Sequence, residues 1–246
     1  MHGKQFKMNV TELKDLAVDA ARQAGYFLNQ SKFEKKEVHK EEGRDIKLII
    51  DQDTEKLIRS SLQKTGIPIL GEEYGGEISE EKYWVIDPID GTANYFRGLD
   101  ECCVSIALMD ADEALIGVIY NFNNDQMYTA IKGHGAFLND EKISVSDIAS
   151  KSKASITTGF PASETIESSV NFLEDLKGWK KVRMFGSAAL SCAYVASGKC
   201  DYYAEKGVYL WDIAAGICLV REAGGCADFK LIDKERYEVV FSNNLL

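Results

Sequence analysis

Histidine is scarce in this chain, with only His2, His39 and His134 among 246 residues. They lie near the start, in a charged stretch and in a Gly-flanked loop, which leaves little for a His-based triad or an imidazole-ligated metal. The six cysteines (Cys102, Cys103, Cys192, Cys200, Cys218 and Cys226) form no Cys-x-x-Cys pair, which argues against zinc. A chain this long needs no disulfide staples, so the thiols are read as reduced. No run of about 18 apolar residues occurs, and no membrane span is expected. The opening MHGKQFKMNV lacks the apolar middle of a signal peptide, so a cytoplasmic location is expected. No dense Lys/Arg stripe offsets the net charge of −10, so nucleic acid is not an expected partner. Any chemistry here must fall to carboxylates.

What is present reads as an α/β chain. At roughly 150 residues per domain, the length allows one large domain or two closely packed halves. Asn9 with Glu12 forms a capping box ahead of apolar residues at helical spacing, predicting a helix over 10–30. The charged KFEKKEVHKEEGRD is a connector, and IKLII then reads as a strand ending at Asp51. Asp53 or Thr54 is placed as the cap of a second helix through about residue 64. IPIL and YWVI read as central strands, and Cys103 to Val145 as an antiparallel meander. The remainder alternates again. ASITTGF, KVRMF and CDYYAE are expected as strands, with helices over 164–176, 188–197 and 213–223.

The stretch WVIDPIDGTANYF, residues 84–96, puts Asp87 and Asp90 at the end of a buried strand. Residues three apart on a continuing strand point to opposite faces. Pro88 is expected to end the strand and swing Asp90 back beside Asp87. Two such carboxylates in a partly desolvated crevice repel each other unless a cation lies between them. Oxygen ligands favour a hard ion, Mg2+ or Mn2+. Thr92 is read as a helix N-cap, whose following amides attract phosphate. Metal-assisted phosphoryl chemistry follows from that combination. An EF-hand loop and an Asp-x-Asp phosphatase site do not fit the spacing.

Taken singly, these residues have plainer explanations. Asp-x-x-Asp is more often a turn with solvated acids, and Asp212 alone reads as a helix N-cap. Glu72 and Glu73 fit a solvated loop, Ser187 an ordinary cap, Glu205 a solvated strand end and Trp211 core packing.

The signature nonetheless resembles that of the inositol monophosphatase family of Mg2+-dependent, lithium-sensitive phosphatases. Similar blocks follow in order: GEE at 71–73, GHGAFLND at 133–140, GSAAL at 186–190 and WDIAAGICLVREAGG at 211–225. The resemblance implies a layered α-β-α-β-α sandwich over 9–246, with a mixed or antiparallel sheet in the first half and a second sheet after it. Residues 9–145 would bind metal and phosphate, and 146–246 substrate. It further implies two or three Mg2+ ions (Mn2+ as a substitute), held by the carboxylates of Glu72, Asp87, Asp90 and Asp212 and the carbonyl of Ile89. Asp51 would help place an additional metal and the attacking water, and Glu72 with Thr92 would orient that water. Gly91 and Thr92 amides would hold the phosphate. Ile89, Asp90 and Asp212 would border the bound substrate, with Gly186, Ser187, Ala188 and Glu205 on its alcohol part. Mild departures are Tyr95 for a commoner Phe, Ser187 for Thr, and LII in place of hydroxyl residues before Asp51. The family also implies a homodimer acting on a small phosphorylated substrate. Inositol monophosphate is preferred over fructose 1,6-bisphosphate, 3′-phosphoadenosine 5′-phosphate and histidinol phosphate. A regulatory protein that keeps the fold without turnover is the reading from another class.

Overall fold

The computed structural model describes residues 8–32, 38–42, 45–160 and 166–246. Helix α1 (Val10–Gln30) begins at the expected capping box: Asn9 Oδ1 accepts the Glu12 amide at 3.0 Å, and Glu12 Oε2 accepts the Asn9 amide at 2.7 Å. The charged connector leads into a hairpin of β1 (Val38–Glu42) and β2 (Asp45–Leu48), so that the IKL of IKLII is a strand as expected. Helix α2 (Ile49–Leu62) follows without a loop, which corrects the reading of IKLII as a strand ending at Asp51. Asp51 lies in the first helical turn, where its Oδ2 accepts the Leu48 amide at 2.7 Å. That bond satisfies a helix-start N–H and makes Leu48, rather than Asp53 or Thr54, the boundary.

A seven-stranded sheet runs in chain order: β3 (Ile69–Gly71), β4 (Lys82–Asp90), β5 (Cys103–Asp110), β6 (Glu113–Asn121), β7 (Gln126–Ile131), β8 (Gly135–Leu138) and β9 (Glu141–Ile143). Only β3 and β4 pair in parallel. The meander expected over 103–145 is present as β5 to β9. Short helix α3 (Thr92–Arg97) follows β4. The second sheet has the order β11-β10-β12-β14-β13, with β10 (Ser155–Thr157), β11 (Lys181–Arg183), β12 (Tyr202–Tyr209), β13 (Cys226–Leu231) and β14 (Arg236–Ser242). Helices α4 (Ile166–Asp175), α5 (Ala188–Ala196) and α6 (Leu210–Glu222) alternate with these strands. The first two positions of the helix expected over 164–176 lie outside the described residues. The β13–β14 hairpin is an element that sequence reading did not supply.

The elements stack in layers. Leu13, Ala17, Ala20 and Leu28 of α1, with Ile58 and Leu62 of α2, bury one face of the first sheet against Trp84, Ile86, Ile106 and Leu108. Helices α5 and α6 fill the space between the sheets. There Cys192, Ala193, Ala215 and Leu219 pack with Val85, Ala107 and Ile119 of the first sheet and Tyr203, Val239 and Phe241 of the second. A Leu, Ile, Val or Phe side chain buried in this way stabilises by about 1.5–3 kcal/mol. Helix α6 lies so close to β6 that a Cβ on Gly117 would overlap the Ala215 carbonyl. The layered α/β sandwich is therefore as expected.

Candidate active site

Strand β4 does not end at Pro88. It continues to Asp90, and the register steps from Asp87 opposite Ser105 to Asp90 opposite Cys103, three residues on one strand against two on the other. This is a β-bulge, where a proline removes no ladder hydrogen bond. The extra residue reverses the alternation, so Asp87 and Asp90 reach the same side. The expected convergence is present, and its cause is the bulge rather than a turn.

Asp212 joins them from α6. Ligand atoms of Asp87, Asp90 and Asp212 all lie within 4.8 Å of one another. Asp212 occupies the same helical position as Asp51, the third residue, and its Oδ2 accepts the Tyr209 amide at 2.7 Å. It is therefore not the N-cap. Both carboxylates reach back to a strand end, Leu48 of β2 and Tyr209 of β12.

Burial pushes the Asp87 carboxyl well above its ordinary range, and the charges of Glu72, Asp90, Asp212 and Asp51 push it further. Burial also raises Asp90, opposed by hydrogen bonds from Ser187, the Ala189 and Ala188 amides, and Cys103. Asp212 is raised well above its usual value by burial and then by Asp90, while the Tyr209 amide opposes the shift. Three all-oxygen ligands that resist joint ionisation match a hard divalent cation. The residues present fit Mg2+ or Mn2+.

Asp90 is the most heavily bonded of the three. Its Oδ2 accepts from the Ser187 hydroxyl, from Ala189 N at 2.8 Å and from Cys103 Sγ at 3.7 Å, and its Oδ1 accepts Ala188 N at 3.3 Å. Ser187 is the N-cap of α5, and its Oγ also accepts Leu190 N at 3.2 Å. Thus the donors of Ser187 and Ala188, expected on the substrate's alcohol part, are turned onto Asp90 in this structure. They hold a cluster carboxylate.

Asp87 Oδ1 accepts the Ile89 amide at 2.9 Å, and the Ile89 carbonyl accepts the Thr92 hydroxyl at 2.9 Å. Thr92 is the first helical residue of α3, not its cap; Gly91 is the cap, at φ 90°. A Cβ there would also stand 2.8 Å from the Glu101 carbonyl oxygen, so both space and backbone conformation select glycine. Gly186 lies beside it. Asn94, a residue the sequence reading passed over inside the signature, clamps this junction. Its Nδ2 donates to Glu101 O and Phe185 O, both at 2.7 Å, and to Gly186 O at 3.4 Å.

Glu205, half-buried on β12, accepts the Tyr203 hydroxyl at 2.9 Å. Burial raises its carboxyl to about 7; the Tyr203 and Gly159 hydrogen bonds oppose the rise and the Asp90 charge adds to it. A Cβ on Gly159 would overlap this carboxylate. Trp211 stacks on Tyr209 with centroids 4.6 Å apart, and Arg236 covers the other partner's ring at 4.5 Å. Trp211 is packing, as read. The GHGAFLND block is also structural: Glu222 at the far end of α6 accepts the Gly133 and Gly135 amides, each at 2.8 Å.

The fold and site define a two-sheet α/β protein whose strand ends and helix starts converge on a buried carboxylate cluster. The description "Inositol monophosphatase family" matches residues 9–229, and the chain belongs to that family. It is 39% identical over 232 residues to the Nus factor SuhB of Xylella fastidiosa, covering 91% of this chain and 84% of that protein. It is 33% identical over 239 residues to the fructose-1,6-bisphosphatase/inositol-1-monophosphatase of Thermotoga maritima, covering 94% and 91%. The crystal structure of the extragenic suppressor protein suhB from Bartonella henselae superimposes with a TM-score of 0.87 at 33% identity, covering 94% and 93%. Among the described residues, no helix is long and apolar enough to cross a membrane.

Proposed function

We propose that the chain is a Mg2+-dependent phosphomonoesterase acting on a small phosphorylated alcohol, inositol monophosphate first, by direct attack of water. The observation that carries this reading is the meeting of Asp87, Asp90 and Asp212 within 4.8 Å inside the fold. Asp87, Asp90, Asp212, Glu72 and the Ile89 carbonyl would hold the ions, with Asp51 beside them. When bound, the ions polarise water and offset charge on the ester and the leaving oxygen. The chain's own groups do the rest. Glu72 and the Thr92 hydroxyl orient the water for in-line attack, and the Gly91 and Thr92 amides donate to phosphate oxygens. Glu205, Gly186, Ser187 and Ala188 border the alcohol. The same reading carries a cytoplasmic, lithium-sensitive homodimer.

Phosphate release from a panel of esters, with and without Mg2+, tests the proposal. The panel includes inositol monophosphate, fructose 1,6-bisphosphate, 3′-phosphoadenosine 5′-phosphate and histidinol phosphate. The relative of Thermotoga maritima keeps the bisphosphate in contention. No release from any of them would favour the regulatory alternative, which the relatives named Nus factor support.

Two substitutions probe individual roles. Thr92→Ala is expected to lower kcat by about 10²-fold through a misplaced water, with KM little changed. Because Gly91 is the cap, the stability cost is only the hydroxyl bond to Ile89, about 1 kcal/mol. A variant with wild-type kcat would leave that hydroxyl a purely local support. Glu205→Ala should reduce kcat/KM for inositol monophosphate by about 10–100-fold, the loss of a charge-assisted hydrogen bond worth about 1.5–3 kcal/mol. p-Nitrophenyl phosphate has no hydroxyls for that carboxylate, so its turnover should hold. The difference should widen as pH rises through about 7, where Glu205 loses its proton. Equal losses on both esters would assign Glu205 a structural part only.

A further inference from the structure

Glu55 is a charged side chain with no exposure at all, on the inner face of α2. It stands one turn beyond Asp51, and Arg59 one turn beyond that, so the three share a helix face. Glu55 Oε1 accepts Arg59 Nε at 2.7 Å and the Tyr74 amide at 3.2 Å, and Oε2 accepts the Glu73 amide at 2.7 Å. Arg59 donates from Nη2 to Gly75 O at 2.6 Å and from Nη1 to Ile69 O at 3.4 Å. Every one of these loop partners flanks Glu72. A Cβ on Gly71 would overlap the Glu55 carboxylate, so the chain passes directly over it.

The loop is closed on itself as well. Gly71 N donates to Gly75 O at 3.0 Å, and Glu72 N donates to Ile86 O at 3.3 Å, one residue before Asp87 on β4. The backbone of 71–75 is thereby bonded on both sides, which fixes the Glu72 backbone against the end of β4 that carries Asp87 and Asp90. A buried ion pair is a weak source of stability, because desolvation cancels most of its attraction. Its value here is geometric. We propose that Glu55 and Arg59 are positioning residues that act through the 71–75 loop to hold the Glu72 carboxylate against the metal cluster. This rests on the phosphatase reading for what Glu72 does at the cluster, while the grip on the loop backbone stands apart from it.

Removal of a partner that orients a metal ligand costs about 10–100-fold in metal affinity or activity. Glu55→Gln keeps the acceptor for one amide and loses the charge that grips Arg59. Calorimetric titration with Mn2+ should show its affinity lowered by about tenfold or more, and kcat should fall by about 10–100-fold with KM for the ester nearly unchanged. In a Glu72→Ala background the same substitution should change Mn2+ affinity no further, because residues that act through one group are not additive. Should Glu55→Gln fail to fold, Arg59→Lys, which keeps the charge but loses the fork to Ile69 and Gly75, is read by the same criteria. Wild-type Mn2+ affinity in the folded variant, or equal losses with and without Glu72, would overturn the proposal. If the wild type releases no phosphate from any ester, the phosphatase reading fails, while the Mn2+ titration still decides the brace.

Discussion

Asp90→Asn is expected to fold and to lose at least about 10³-fold in turnover, with Mg2+ no longer raising its melting temperature. The loss corresponds to about 4 kcal/mol of transition-state stabilisation, within what a correctly held metal supplies. Two effects combine. A neutral amide is a weaker ligand for a hard cation. The substitution also inverts hydrogen bonding, because Asp90 uses both oxygens as acceptors for Ala188, Ala189, Ser187 and Cys103, and an asparagine has only one oxygen. Its NH2 group must face a donor. Circular dichroism, phosphate release and thermal melting with and without Mg2+ check this. Near wild-type turnover in a folded variant would remove Asp90 from the metal assignment.

The second large effect concerns metal removal and pH. Asp87, Asp90 and Asp212 all have folded-state affinities for protons above those of an open chain. The metal-free folded protein therefore binds more protons than the unfolded one. The stability contributed by these groups is fully present below the unfolded carboxyl value, about 4, and is lost as pH rises through the raised folded values. Glu205 adds to this between its open-chain value of 4.5 and about 7. The metal-free protein should melt higher at pH 5.5 than at pH 8. Mg2+ at about 100 times its dissociation constant should add about 2.7 kcal/mol, or roughly 5–10 °C, and the gain should grow toward pH 8 as the ligands ionise. Scanning calorimetry in chelator and in Mg2+ at the two pH values provides the check. A melting temperature that rises with pH in chelator, or ignores Mg2+, would contradict the buried-cluster account.

Much of the site could be read from residues, but the local geometry behind it could not. The pairing of Asp87 with Asp90 was visible, whereas the bulge depends on how β5 pairs with β4, which one strand's sequence does not state. IKLII is a short apolar run compatible with either period, so sequence alone puts Asp51 at a strand end rather than in the first turn of α2. The helix start there carries no polar N-cap; Leu48 and Tyr209 occupy the cap positions, and the signal is the aspartate three residues later reaching back. Sequence rules that look for Ser, Thr, Asp or Asn at the cap miss both starts. Glu55 and Arg59 carry a legible mark, charges at four-residue spacing on a helix face that also holds Ile58 and Leu62, which the sequence reading does not single out. The β13–β14 hairpin was missed because alternation in CADFKL is weak: Ala227 is buried, but Lys230 and Leu231 are exposed.

Helix α6 has a consequence for how the protein could be divided. Asp212 at its first turn faces Asp87 and Asp90 of the first sheet, while its body is packed against both sheets. The donors that hold Asp90, Ser187, Ala188 and Ala189, come from the second half as well. A fragment ending near residue 145 would carry the whole DPIDGT signature and yet lack one carboxylate of the three and the donors of another. The two fragments, expressed separately and mixed, should therefore regain metal binding only when they reassociate, which makes metal capture a reporter of complementation between the halves.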